Sequence, residues 1–345
     1  MLFADHTMAE HRQNCIWTIL KMLMFISFVK YSLIGVQYLY FVSCISFPLH
    51  NVAEIVQNIT FQGSTTASPI NKISVNTKLI YMAENICVSQ IPLLIVVKSA
   101  VKHFERRRVI RRTWGNLTSS NARLVFILGY NKYLEETVDQ ESYSYNDIVQ
   151  GSFIDSYTNN TYKTIFTYNW IVQFCLNSDH VLFVDDDFYV HIPNVLKYLE
   201  EKDIDKTGNA MYGRLYYMAK PIRHHDSKWY ISESEYPFDF WSPYLSGGSI
   251  LANVQVVQRL ALAIPYVRFV WIDDAFIGIV ASKIDVKLIH EPGFACSGRI
   301  DPDDINGYLS SHGYSNSLDL VSAHKTTKLQ KRTYWTTVPW YRQML

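Results

Sequence analysis

The stretch that decides the fold is His180–His191, HVLFVDDDFYVH, in which the apolar run Val181–Val184 leads into Asp185, Asp186 and Asp187. Such a run predicts a buried strand that ends at the aspartates. Adjacent carboxylates repel one another and lose hydration on burial, so a cation or several donors must compensate their charge. At the carboxyl end of a strand, oxygen ligands suit Mg²⁺ or Mn²⁺ held with substrate phosphates. The stretch predicts a metal–nucleotide site, and the alternative is an exposed acidic turn.

Strand-like and helix-like segments alternate around this stretch. The strand-like runs are Pro92–Val97, Arg123–Leu128, Ile148–Phe153 and Val181–Val184, and the helix-like stretches are Asn160–Leu176 and Ile192–Glu201. This alternation predicts an α/β domain with a mostly parallel sheet.

The composition is that of a globular chain with a large core. Of 345 residues, 48% are hydrophobic and 14% aromatic. The net charge is +1, with 32 basic and 31 acidic residues. A balanced charge gives no electrostatic footprint for a polyanion, so no nucleic-acid partner is expected.

A membrane segment is predicted near the N-terminus. Tyr31–Phe47 has no charged residue, and its length is at the lower end of the spanning range. Arg12, Lys21 and Lys30 precede it, whereas no Lys or Arg follows before Lys72, so the positive-inside rule places the N-terminus in the cytosol. We expect a single-pass type II signal anchor; a cleaved signal peptide and a pair of core strands are the alternatives.

This topology divides the chain into four parts. They are a cytosolic tail with the start of the membrane segment (1–30), the anchor (31–47), a polar, turn-rich stalk (48–85) and a lumenal domain (86–345). Three glycosylation sequons follow the anchor, at Asn58, Asn116 and Asn159, and the last falls at a strand–helix junction that encloses it. At most one disulfide is expected, with its pairing open, among Cys87, Cys175 and Cys296.

Several motifs in fixed order resemble those of glycosyltransferase family 31, the β-1,3-galactosyl- and β-1,3-N-acetylglucosaminyltransferases related to Brainiac and Fringe. They are Arg107–Gly115 (RRVIRRTWG), Phe153–Thr164 (FIDSYTNNTYKT), Asp185–Asp187, Pro243–Leu251 (PYLSGGSIL) and Trp271–Gly278 (WIDDAFIG). The resemblance extends from about Leu93 to the C-terminus. It implies a Rossmann-like, nucleotide-sugar-binding α/β domain of the glycosyltransferase A type.

The resemblance assigns the donor-binding residues. Arg107 and Arg111 fall on the arginines of the first motif, where a guanidinium suits diphosphate oxygens; a solvated basic helix start is the alternative. Lys163 is placed to face the sugar nucleotide. Asp185 and Asp186 are implied to contact the uridine ribose or the hydration shell of the metal.

Two further motifs surround the sugar. Gly247 and Gly248 fall in a loop whose glycines let the backbone approach the donor sugar. Ser249 stands where the family has a glycine and Ile250 where it has an aromatic residue, so the shape of the sugar pocket is open.

The catalytic base is implied to be Asp274, with Asp273 in place of the glutamate that usually precedes it. A neighbouring carboxylate raises the pKa of a base toward the working pH. The alternative is a pair of aspartates that caps a helix.

The metal is implied to be Mn²⁺, held by Asp187 and by His324 in a late strand that resembles the family's V-x-x-H. His290 is the rival histidine.

Together these features predict an inverting, metal-dependent β-1,3-hexosyltransferase of the Golgi membrane. It would move galactose or N-acetylglucosamine from a UDP-sugar to a glycan acceptor on lipid or protein. The alternatives are a catalytically silent lumenal lectin or scaffold on the same fold and a secreted sugar hydrolase.

Overall fold

The structure is a computed structural model that describes residues 51–71, 77–83, 85–118, 121–201, 209–301, 304 and 307–329. All of them belong to one compact unit, Phe47–Leu345. The tail and anchor expected at 1–30 and 31–47 lie outside the described residues. Within the described ranges, no helix has the length and apolar character needed to span a membrane.

Strands and helices alternate along much of the described chain. The strands are β1 (Leu79–Met82), β2 (Ile91–Lys98), β3 (Ala122–Tyr130), β4 (Ile148–Ile154), β5 (Ser178–Asp185), β6 (Phe188–Val190), β7 (Ala210–Tyr216), β8 (Tyr244–Asn253), β9 (Lys287–His290), β10 (Phe294–Ala295) and β11 (Ser310–His312). The helices are α1 (Val52–Gln62), α2 (Phe104–Arg112), α3 (Glu135–Tyr145), α4 (Asn160–Phe174), α5 (Ile192–Glu201), α6 (Val254–Ala263), α7 (Asp273–Lys283) and α8 (Ser317–Leu329). The four strand-like runs and two helix-like stretches that alternate in the sequence are present within a few residues of their expected bounds, whereas the late strand expected at His324 is helical.

The main sheet has eight strands in the order β1-β4-β3-β2-β5-β8-β7-β9. The central strands β4, β3, β2 and β5 are parallel, as the sequence predicted. The flanks differ, because β1 is antiparallel to β4 and β8 is antiparallel to both β5 and β7. The expectation of a mostly parallel sheet is confirmed, since four of the seven strand pairs in this sheet are parallel, and the opposite direction of β1 and β8 makes the sheet mixed. An aromatic, irregular segment rather than a crossover helix joins β7 to β8, and an antiparallel pair needs no crossover helix.

Two hydrophobic cores cover the two faces of this sheet. Along β2, Leu94 and Val96 enter one core and Leu93, Ile95 and Val97 the other, since side chains alternate across a strand. Helices α1, α4, α6 and α7 supply the first core and α2, α3, α5 and α8 the second. The chain forms a three-layer α/β fold.

The expected stalk at 48–85 is corrected. Helix α1 buries Val52 and Val56 in the first core, and β1 pairs with β4 at the edge of the sheet. The folded domain thus begins before residue 86. The apolar residues Val52, Ile55, Val56 and Ile59 of α1 follow the i, i+3, i+4, i+7 spacing of an amphipathic helix and pack on that core, so the sequence carried a signal that the stalk prediction overlooked.

One disulfide joins Cys87 to Cys175, within the limit set by the sequence. It ties the segment before β2 to the end of α4, while Cys296 is a free thiol.

Candidate active site

A cleft runs along the carboxyl ends of the parallel strands, the place where open α/β sheets bind ligands. It comprises two adjoining cavities, which we term the first cavity (about 500 Å³) and the second cavity (about 610 Å³). Both are lined by Lys98, Tyr157, Asn160 and Asp185, so they form one continuous space. The first cavity extends along residues 98–106 and the second toward the start of α7.

Arg107 does not face this cleft. Its side chain is fully buried, and its Nε and Nη2 donate to the Glu141 carboxylate at 2.9 and 2.6 Å. Its Nη1 donates to Ser99 Oγ and Ala100 O, and Nη2 also donates to Val101 O. With these donors engaged inside the protein, the predicted diphosphate contact by Arg107 is corrected to a structural role.

Arg111 has a structural role as well. Its Nε and Nη2 donate to the Asp147 carboxylate, each at 2.7 Å, and its Nη1 donates to Glu141 at 2.7 Å. The guanidinium stacks over the ring of Tyr145, 4.0 Å from its centroid. The predicted phosphate contact of Arg111 is therefore also corrected to a structural role. The motif could not reveal this, because Glu141 lies in α3 and Asp147 just before β4, both outside it.

Asp186 anchors the loop that follows β2. Its Oδ2 accepts from Ser99 Oγ at 2.6 Å and faces His103 Nδ1 at 2.7 Å, and its Oδ1 accepts from Arg106 at 2.7 Å. Burial would raise the pKa of Asp186, but His103, Ser99 and Arg106 outweigh it and lower the pKa. Both oxygens therefore anchor this loop, a role that the sequence did not indicate, while the contact of Asp186 with the ribose or the metal's hydration shell stays a prediction. The sequence reading missed His103 and Arg106, which line the first cavity.

Lys163 lies in the first turn of α4, as predicted, and lines the first cavity. Its ammonium is already bound, however: Nζ is 2.8 Å from Asp155 Oδ1 and 2.6 Å from Ser99 O. Its charge is therefore balanced before a ligand arrives.

Lys98 is the central cation that the sequence reading missed. It ends β2, and its Nζ lies 3.3 Å from Asp185 Oδ1 and 2.9 Å from Asp273 Oδ2. Enclosure in the cleft raises the pKa of Asp185 to about 6; Lys98 opposes that shift and Asp273 adds to it. A lysine as the last residue of a wholly apolar strand was the available signal.

Asp273 and Asp274 open α7, and their surroundings differ. Asp273 accepts from Lys98 and from Thr164 Oγ1 at 3.0 Å. Burial would raise the pKa of Asp273, but Lys98 outweighs it and lowers the pKa. Among the described residues, Asp274 accepts hydrogen bonds from no side chain and from two backbone donors, Gly247 N at 3.3 Å and Ala275 N at 2.8 Å. Burial, and next the charge of Asp273, raise the pKa of Asp274.

The capping alternative for this pair is not observed. The residue that caps α7 is Ile272, which makes no side-chain capping hydrogen bond, and both aspartates lie within the helix. They also line the second cavity. The arrangement suits a proton acceptor at Asp274 beside Asp273, whose pKa Lys98 lowers.

The glycine loop has two different tasks. A Cβ at Gly247 would lie 3.2 Å from the Cβ of Asp274, so Gly247 lets the loop approach the base. A Cβ at Gly248 would lie 2.4 Å from the Phe188 ring, which only glycine permits. The two residues that depart from the family pattern are both buried. Ser249 accepts a hydrogen bond from Ser310 Oγ at 2.8 Å, and Ile250 belongs to the first core.

Asp187 faces His312 rather than His324. Pairing of β6 with β11 sets Phe188 opposite His312, and Asp187 Oδ2 lies 3.5 Å from His312 Nε2. The segment that ends in His324 belongs to helix α8 and is not the expected strand; His324 Nδ1 is 3.4 Å from the Tyr189 hydroxyl. The histidine of the candidate metal site is therefore corrected to His312.

The rival, His290, is also engaged elsewhere, since it lies in β9 and its Nδ1 accepts from Leu215 N at 3.3 Å. Within the described ranges, no group of three or more His, Cys, Asp or Glu side chains has the spacing of a metal site. A carboxylate and an imidazole remain, and this donor set fits Mn²⁺ when substrate phosphates and water complete the coordination.

The three sequons differ in access. Asn116 is exposed in a turn, where its Oδ1 accepts from Thr118 Oγ1. Asn58 is half-buried on α1. The side-chain amide of Asn159 donates to Ile154 O at 2.8 Å, so the nitrogen that a glycan would need is occupied.

Comparison with known proteins is consistent with this site. A family model described as Galactosyltransferase matches residues 105–292, more than half of the chain. The Drosophila melanogaster protein "Beta-1,3-galactosyltransferase brn" is 36% identical over 237 residues, 66% of this chain and 72% of that protein. Mouse "N-acetyllactosaminide beta-1,3-N-acetylglucosaminyltransferase 4" is 31% identical over 73% of this chain and 71% of its own length.

Human "Lactosylceramide 1,3-N-acetyl-beta-D-glucosaminyltransferase" is 28% identical over 78% of this chain and 74% of its own length. Among solved structures, mouse xyloside xylosyltransferase 1 is 13% identical with a TM-score of 0.35 over 66% of this chain and 98% of that one, a similarity too low to bear on the fold. On the family match and the sequence relatives, the chain is an enzyme that belongs to glycosyltransferase family 31.

Proposed function

We propose that this glycosyltransferase is an inverting β-1,3-hexosyltransferase, which transfers galactose or N-acetylglucosamine from a UDP-sugar to a glycan on lipid or protein. The observation that carries the proposal is Asp274, a carboxylate with a raised pKa and no cationic partner of its own among the described residues, in the wall of the second cavity. A hydroxyl in that cavity meets a base suited to deprotonate it near neutral pH.

The reaction needs one proton acceptor and a single displacement. Asp274 takes the proton of the acceptor hydroxyl as its oxygen forms a bond to the anomeric carbon of the donor sugar. The bond from that carbon to the diphosphate oxygen breaks, and its electron pair leaves with UDP. Attack on the face opposite the leaving group inverts the anomeric configuration. Within the described part of the second cavity, Asp274 is the carboxylate without a bound cation, which suits a base rather than a nucleophile and acid pair.

The nucleotide is assigned to the first cavity, in keeping with a glycosyltransferase A-type domain. This cavity lies at the carboxyl ends of β2, β4 and β5, and a free face of Asp185 opens into it. Asp187 and His312 would hold Mn²⁺, which when bound neutralises charge on the diphosphate. The short distance between these two side chains supports the assignment.

The test is a transfer assay of the purified full chain with UDP-galactose, UDP-N-acetylglucosamine and UDP-glucose, a panel of sugar acceptors, and Mn²⁺ or EDTA. We expect transfer from one of the first two donors, a β-1,3 linkage by NMR, and loss of activity in EDTA. UDP binding without turnover on any acceptor would favour the lectin or scaffold alternative. Absence of UDP binding would contradict the proposal.

We further propose that the chain is a single-pass type II protein of the Golgi membrane with its catalytic domain in the lumen. The uncharged segment 31–47, the Cys87–Cys175 disulfide and the exposed sequon at Asn116 support this topology. In intact microsomes the domain should resist protease until detergent is added. Digestion without detergent would contradict it. Glycosidase should shift mobility through Asn58 or Asn116 rather than through Asn159.

A further inference from the structure

The segment between β7 and β8, residues 217–243, is a well-anchored loop; we call it the β7–β8 loop. Arg223 holds it together, because its Nη1 donates to Ile231 O at 2.9 Å and its Nη2 to Tyr236 O and Phe238 O at 2.7 and 2.9 Å. The buried ring of Tyr236 packs 4.1 Å from that of Trp241. The loop can therefore hold a side chain at a fixed place in the cleft.

The tip of the β7–β8 loop reaches the junction of the two cavities. Lys228 and Trp229 are exposed at this tip, and the Lys228 ammonium lies 4.4 Å from the Trp229 ring and 5.4 Å from the ring of Tyr157. Since Tyr157 lines both cavities, the ammonium of Lys228 stands where a ligand that spans them must pass.

Lys228 is close to the candidate metal ligands. It lines the second cavity together with His312. Tyr157, whose ring lies 5.4 Å from the Lys228 ammonium, lines the first cavity together with Asp187.

Most other cations of the cleft are already neutralised. Lys98 is bound by Asp185 and Asp273, and Arg106 and Lys163 are each bound by an aspartate. Lys228 and Lys220, which both line the second cavity, make ring contacts and no ion pair in the described part of the chain. The Phe240 ring beside Lys220 lines neither cavity, whereas the Tyr157 ring beside Lys228 lines both. Lys102 is exposed in the first cavity, but the structure does not place it beside Asp187 or His312.

We propose that Lys228 binds the diphosphate of the nucleotide sugar and offsets the negative charge that the departing nucleoside diphosphate gains as its bond to the sugar breaks. Ring contacts leave all three ammonium protons available, and phosphate oxygens are the acceptors that such a group binds as a point charge. This takes over the task that the buried Arg107 and Arg111 do not perform. The inference rests on the proposed function, because it requires a UDP-sugar donor.

The test is calorimetric titration of the full chain with UDP and with UMP in Mn²⁺. Lys228→Met should weaken UDP binding about tenfold, the effect of losing one charge-assisted contact. It should affect UMP less, because UMP lacks the second phosphate. Lys228→Arg should retain most of the UDP affinity. Lys132→Met is the matched control, since Lys132 also rests on an aromatic ring, that of Tyr133 at 4.8 Å, but does not line either cavity.

The outcomes separate this inference from the proposed function. If the wild-type chain binds UDP and Lys228→Met binds it equally well, Lys228 does not hold the diphosphate, although the function stands. A loss in Lys102→Met instead would assign the contact to Lys102 and overturn the inference. Equal weakening of UDP and UMP would also overturn it, because the lost contact would not be to the second phosphate. If the wild-type chain fails to bind UDP, the proposed function itself fails.

Discussion

Two charge clusters flank the same sheet, and they differ in how completely their charges are matched. In the structural cluster, two guanidiniums meet two carboxylates, and all are hydrogen-bonded: Arg107, Arg111, Glu141 and Asp147. The second cluster lies in the cleft and consists of Lys98, Asp185, Asp273 and Asp274. There the ammonium of Lys98 faces Asp185 and Asp273, while Asp274 has backbone donors alone among the described residues. Matched buried charges stabilise one conformation, whereas an unmatched carboxylate costs stability and keeps its proton affinity for chemistry.

The largest effect should follow from removing the unmatched carboxylate. Asp274→Asn keeps the shape and one of the two backbone hydrogen bonds but cannot accept a proton, so transfer should fall about 10²–10⁴-fold. UDP affinity should be unchanged and the variant should remain folded, because loss of the unmatched buried charge offsets loss of one hydrogen bond. Turnover, calorimetry and thermal melting are the measurements.

Asp273→Asn is the matched control, because it removes the neighbouring carboxylate that is already bound by Lys98. It should cost less activity than Asp274→Asn. A wild-type rate in folded Asp274→Asn would contradict the assignment of the base, and a loss of stability that parallels the loss of activity would restore a structural role to the pair.

The matched cluster should respond in the opposite way. Arg107→Met leaves Glu141 buried without its main partner, and breaking a buried pair on one side costs about 3–5 kcal/mol of unfolding free energy. Chemical denaturation measures this loss. Arg108→Met removes an exposed arginine of the same helix, paired with Glu105, and should leave stability unchanged. Weaker UDP binding by a stable Arg107→Met variant would return Arg107 to the donor site.

The proposed metal site offers a smaller effect. His312→Ala should weaken Mn²⁺ binding in the presence of UDP by about tenfold or more, since loss of even a side chain that hydrogen-bonds to a metal ligand costs about that much. His324→Ala should leave metal affinity unchanged, because its imidazole lies beside Tyr189. Electron paramagnetic resonance of bound Mn²⁺ distinguishes the two variants. The reverse order would reinstate the histidine expected from the sequence.

Much of the fold could be predicted from the sequence, because its central strands are apolar runs bounded by turn residues. Val181–Val184 and Pro92–Val97 are examples. Of the four ends expected for these two strands, three lie within one residue of the observed ends. The direction of β8 could not be predicted, since an antiparallel partner and a parallel one bury the same apolar faces. Helix α1 was missed although Val52, Ile55, Val56 and Ile59 mark its buried side, because the polar, turn-rich residues that follow it favoured a stalk.

The site was harder to predict, because a motif names residues but not their partners. Asp187 and Asp274 line the cleft as expected. From the sequence, Arg107 cannot be told from an arginine that binds phosphate. Only the position of Glu141 in α3 shows that the Arg107 guanidinium is bound inside the protein. His312 could not be chosen among the histidines by spacing, since the β6–β11 pairing that brings it to Asp187 is non-local.

The most direct test of the unmatched base is the pH dependence of kcat/KM in the wild type and in Asp273→Asn. Only ionised Asp274 accepts a proton, so activity falls as the pH drops through its pKa, which burial and Asp273 raise above that of an ordinary carboxyl group. Removing Asp273 deletes a negative neighbour and frees Lys98, and both changes favour ionised Asp274. The account predicts that the acid limb moves to lower pH in the variant. A limb that stays in place or moves to higher pH would contradict it.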